Sequence, residues 1–109
     1  MTAPKLFGSS RRTEVLLMLA LLGESYPAEL TRLLGASKAS ILQILDALET
    51  EGVVASRQLG RTRRVALDPR TFGAKELRAL LDKLASGQPR LQRLAASRRA
   101  RPRRKGKPL

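Results

Sequence analysis

Apolar residues recur along the chain at helical spacing in four stretches and at strand-like spacing in two. In the first stretch, Val15, Leu16, Leu19 and Leu22 share one face of a helix over about residues 10–23, and Leu17, Met18 and Leu21 fill much of the remaining circumference. A helix apolar on so many sides is buried more widely than a surface helix, either centrally in its own fold or against a second copy of the chain. Gly8, Ser9 and Ser10 precede it and offer an N-cap. The second stretch, 28–34, carries Leu30, Leu33 and Leu34, with Pro27 suited to the first helical position and Gly35 closing the element. A third helix starts at Ser37, whose hydroxyl can accept from an orphan backbone N–H, and places Ile41, Leu45 and Leu48 on one stripe. Gly52 stops it, because glycine takes the left-handed position after a helix without a Cβ penalty. The fourth stretch, 74–84, sets Leu77, Leu80, Leu81 and Leu84 on one face that packs on the first helix, on a second copy, or on both.

Between the third and fourth helical stretches the pattern changes. Residues 53–57 and 63–67 are short β-compatible runs, and Gly60 between them supplies the positive φ that a tight hairpin loop needs. Asp68 and Pro69 end the second run, since proline cannot donate to a ladder. Two helices joined by a glycine-containing turn, followed by a hairpin, predict a mostly α chain with a small β hairpin. That is a winged helix-turn-helix with a three-helix core, a two-strand wing and a C-terminal helix. The expected domain covers residues 1–87. Residues 88–109 hold nine basic residues and no acid, with Leu91 and Leu94 isolated among them, and read as a basic disordered tail with room for one helical turn around Leu91.

Composition narrows the chemistry. Apolar residues make up 42% of the chain but aromatic residues only 3%, so the core has to be built from aliphatic side chains. With neither cysteine nor histidine, the usual ligands for zinc and the usual acid/base and thiolate groups are missing. No nucleophile–base pair and no glycine-rich phosphate cradle follows a strand, so no enzyme activity, cofactor or metal is expected. The apolar run 15–22 is too short to cross a bilayer and the first residues lack a signal-type stretch. A cytoplasmic location is expected, nucleoid-associated in a prokaryote.

The net charge of +13 is unevenly placed, because the third helix, 37–52, carries one lysine against three acids. In the helix-turn-helix reading, the protruding start of that helix presents Lys38, Ser40 and Gln43 to the major groove. Gln pairs with adenine, Ser with several base edges, and Lys with guanine or phosphate. Arg57, Arg61, Arg63 and Arg64 surround the hairpin loop and are expected on the phosphate backbone or in the minor groove. Asp46, Glu49 and Glu51 fall toward the other end of the helix. Leu42 and Ile44 on a face meant for a polar groove give the alternative, a protein-binding adaptor that docks a partner there. A further alternative is an architectural nucleic-acid binder driven by charge alone.

Leu6, Phe7, Gly8 and Ser9, then Glu29-Leu30, Leu33 to Ser37, Leu48-Glu49, Gly52 to Val54, Gly60-Arg61, Leu67 to Pro69 and Glu76 to Arg78 form an ordered pattern. Over residues 6–85 this pattern resembles the ArsR-like winged-helix transcriptional regulators. It looks closest to the branch found beside or fused to minimal nucleotidyltransferase domains, although no transferase domain lies within this sequence. The resemblance implies a homodimeric, double-stranded DNA-binding regulator, with the helix 37–51 as reader and the hairpin 53–67 as wing. Metal-sensing members of the family use Cys or His ligands, and this chain has neither.

Overall fold

The computed structural model describes residues 6–100, as five helices and one hairpin in the order α1 (Ser10–Leu22), α2 (Pro27–Leu34), α3 (Lys38–Thr50), β1 (Val54–Leu59), β2 (Thr62–Leu67), α4 (Ala74–Ser86) and α5 (Pro89–Ala100). The arrangement is a winged helix-turn-helix with one helix more than its sequence pattern predicts.

Ser9 opens α1 from an extended backbone, its hydroxyl accepting from the Arg12 N–H at 3.0 Å. From Thr13 to Ala20 every residue of α1 is buried. The helix packs on α2, α3, α4, α5 and β2, so its wide apolar surface is consumed within a single chain. Pro27 begins α2, and Gly35 ends it at φ +64° with its N–H donating to the Thr31 carbonyl. Ala36 and Ser37 then lead directly into α3. The Ser37 hydroxyl accepts from the Ser40 N–H at 3.1 Å, which fixes where the second helix of the motif begins.

β1 and β2 pair antiparallel from Val54–Leu67 to Leu59–Thr62, which leaves Gly60 and Arg61 as a two-residue loop. Gly60 has φ +64° and Arg61 does not share it, in keeping with a turn whose first central residue alone needs the left-handed region. The free edge of β2 is covered by the α1–α2 loop: Ser25 and Val65 exchange both backbone hydrogen bonds at 2.9 Å. Val54 and Val65 face inward onto the helices, and α4 lays Leu81 and Ala85 against the same core.

The tail expected from residue 88 is corrected over its first half. Residues 89–100 form α5, with Leu91 and Ala95 fully inside the core and Leu94 half-buried beside them. Density of like charge argued against order only while those charges had no partners. The partners are acids distant in sequence. Arg90 reaches Glu14 of α1 at 2.5 Å, and Arg98 reaches Glu29 of α2 at 2.8 Å. The domain therefore extends past residue 87, and residues 101–109 of the expected tail lie outside the described residues. No helix among the described residues is long and apolar enough to cross a membrane.

Candidate nucleic-acid interface

With Ile41, Leu45 and Leu48 turned to the core, the opposite side of α3 is set by the helical repeat, and it carries Ala39, Gln43 and Asp46. All three are exposed. Lys38 is exposed in the first turn, beside this stripe. Ser40 is half-buried on the flank it shares with Ile44, four residues on, so of the three expected base readers it is the least accessible. Ile44 packs against the core and lines a shallow cleft with Gly8, Ser9, Arg12, Gln43 and Ala47. Leu42 is half-buried. The two apolar side chains thus leave no broad exposed apolar face on α3.

The four wing arginines separate. Arg61, in the hairpin loop, is exposed and has no ion-pair or hydrogen-bond partner among the described residues. Arg57 and Arg64 stand directly opposite each other across the strands, an unfavourable like-charge pair on its own. Glu24, from the α1–α2 loop, offsets it by accepting from Arg57 at 3.1 Å and from Arg64 at 3.4 Å. The Arg64 guanidinium also lies 5.1 Å from the centre of the Tyr26 ring. Arg57 remains 59% exposed in this arrangement and can reach outward, whereas Arg64 is largely covered.

Arg63 is turned toward α3 rather than outward. Its Nη2 donates to Glu49 at 2.8 Å, its Nε donates to the Ser56 hydroxyl at 3.1 Å, and its Nη1 lies 3.1 Å from Asp46. The Ser56 hydroxyl in turn donates to Glu49 at 2.8 Å. That hydrogen bond, opposed in part by burial and reinforced by Arg63, holds the Glu49 carboxyl below the usual carboxylate range. Glu51 is paired separately with Arg12 of α1. The acids of α3 are therefore matched by arginines from the wing and from α1. Arg63, expected on DNA, is occupied in joining the wing to α3, because residues 14 to 17 positions apart in sequence meet where β2 passes the helix. Asp46 was set apart from the reading surface in sequence, yet its i+3 spacing from Gln43 was legible and puts both on one stripe.

Among the described residues no group of three or more Asp, Glu, His or Cys side chains is placed to hold a metal ion. No family model, curated protein or solved structure matches the chain.

Proposed function

We propose that this chain is a sequence-selective, double-stranded DNA-binding transcriptional regulator of the ArsR-like winged-helix kind, acting as a homodimer. The observation that carries this reading is the exposed stripe of α3. It begins at a Ser37-capped helix start, presents Lys38 and Gln43, and is flanked by a hairpin whose loop holds Arg61, without a partner among the described residues. A helix of this kind enters the major groove by its N-terminal half, and a neighbouring cation secures the phosphate backbone or the minor groove. Gln43 would read a base and Lys38 a base or phosphate, with Arg61 and the outward-reaching Arg57 as backbone contacts. Ser40 has a smaller part, and Arg63 and Arg64 support the wing. Residues 101–109 add five basic side chains and no acid, which favour any polyanion by counterion release without reading sequence.

The test is selection of bound duplexes from a randomised pool, using the full chain and residues 1–100, which retain the whole described core. Enrichment by both of a palindromic motif, its half-sites about 10 base pairs apart, is the expected result. Binding that vanishes with residues 101–109 and enriches no motif would overturn the reading in favour of charge alone.

A further inference from the structure

Asp46 is a carboxylate in a place where DNA would ordinarily repel one. Its side chain is 69% exposed and lies one helical turn beyond Gln43 on the same stripe. Its partner among the described residues is Arg63, whose Nη1 stands 3.1 Å from the nearer Asp46 oxygen. An ionised carboxylate is acceptor-only with about four lone-pair sites, so one guanidinium contact leaves most of that capacity open to solvent. Glu49 differs: its Oε1 already takes both the Ser56 hydroxyl and the Arg63 Nη2, so it faces the wing. Arg63 thus does two things for Asp46. It holds one carboxylate oxygen in place while most of the side chain stays exposed, and it supplies a positive charge that lowers the cost of bringing an anion near phosphates.

We infer that Asp46 is a specificity-determining residue that accepts a hydrogen bond from a cytosine amino group in the major groove, with Arg63 as its positioning residue. This rests on the DNA-binding reading above and names one base of the site. The chemistry selects cytosine. Guanine and thymine present oxygen or nitrogen acceptors in that groove, which repel a carboxylate, and adenine sets the N7 acceptor beside its amine. Cytosine offers a donor alone. Register follows from helix geometry, since three residues advance about 4.5 Å along the axis and base pairs are spaced about 3.4 Å apart. The cytosine therefore lies one or two base pairs from the adenine read by Gln43.

The experiment is selection and sequencing of bound duplexes with the full chain, its Asp46→Asn and Asp46→Ala forms, and Arg63→Met, each checked for an unchanged circular dichroism spectrum. The wild-type motif is expected to contain a cytosine in each half-site within two base pairs of an adenine. Asp46→Asn is expected to exchange that cytosine for adenine, which Asn recognises through N6 and N7, and to lose about 5- to 150-fold on the original site. Asp46→Ala is expected to erase the preference at that pair and no other. Arg63→Met, which removes the contact that positions Asp46, is expected to relax the cytosine preference at that pair as well as weaken all duplexes, and a preference kept in full would remove Arg63 from the positioning role. Should the wild type enrich a motif that Asp46→Asn and Asp46→Ala leave unaltered, the inference fails and the DNA reading stands. Should the wild type enrich none, both fall together.

Discussion

Arg98, near the end of the last described helix, donates from Nε and Nη2 to the two carboxylate oxygens of Glu29 at 2.8 and 2.9 Å, across 69 residues of sequence. Glu29 is only 2% exposed and also accepts from the Ser25 hydroxyl at 2.6 Å. The same arginine donates to the Glu24 carbonyl at 2.5 Å, so α5 is tied to the loop that braces the wing. Removing Arg98 leaves a buried carboxylate with Ser25 and the distant Arg32. Arg98→Ala is therefore expected to destabilise the fold by about 1.5–3 kcal/mol, the range for a hydrogen bond to a charged group. Urea unfolding followed by circular dichroism measures it, and a loss below about 0.5 kcal/mol, typical of a neutral surface substitution, would mean the pair is ornamental.

The same carboxylate gives the fold an acid-sensitive component. Burial alone would raise the Glu29 pKa, but hydrogen bonds from Arg98 and Ser25 and the charges of Arg98 and Arg32 hold it below its ordinary value of 4.5. A group whose pKa is lower folded than unfolded contributes stability that is complete above the unfolded value. That stability drains away as pH falls through the folded one. Glu29→Gln, which cannot ionise, is expected to be less stable than wild type at pH 7, with the gap narrowing as pH drops below 4.5. A gap that stays constant down to pH 3 would exclude the linkage.

Because Leu91 and Ala95 complete the core, a chain ending at residue 87 exposes the faces of α1 and α4 that α5 covers. Burying one leucine is worth about 1.5–3 kcal/mol, and the Arg90 and Arg98 pairs go with it. Out of a total of about 5–15 kcal/mol this is a large share. Residues 1–87 are expected to melt well below the full chain, while residues 1–100 melt with it. Equal melting of all three would show α5 to be dispensable.

That boundary marks what the sequence could and could not disclose. The elements 10–87 were legible because their signals are local: Ser9 and Ser37 as caps, Pro27 as a helix start, Gly35, Gly52 and Gly60 at positive φ, and leucines at helical spacing. The α5 helix was not, because its stability lies in pairings with Glu14 and Glu29 that are more than 65 residues away. The pairing of the wing arginines was hidden for the same reason. Arg57, Arg63 and Arg64 looked free in a stretch without acids, and their acids, Glu24, Asp46 and Glu49, arrive from other elements. Of the four, Arg61 alone has no partner among the described residues, since it sits at the tip of the hairpin.

Arg61 is therefore the wing residue whose loss separates contact from scaffolding. As a phosphate contact, Arg61→Ala is expected to weaken binding to all duplexes about equally and to reduce the slope of log affinity against log salt by about one. The fold should be unaffected, because the side chain has no partner among the described residues. Loss confined to one sequence would make it a base reader, and an unchanged salt slope would remove it from the interface.

The homodimer part of the reading turns on α4. Leu81 and Ala85 of that helix are buried against the rest of the chain, Leu77 and Leu84 are half-buried, and Leu80 stands 42% exposed between them. With residues 13–20 of α1 buried within the chain, and Leu80 the large apolar side chain that the described helices leave exposed, α4 is where self-association would bury leucine. Leu80→Lys adds a charge there without opening a cavity, and is expected to convert a dimer to a monomer in sedimentation or light scattering at an unchanged melting temperature. It should also cost much of the affinity for a two-half-site duplex, because the second half-site is then no longer bound at a high effective concentration. A wild-type chain that sediments as a monomer, or a Leu80→Lys chain that remains a dimer, would move the pairing surface away from this helix.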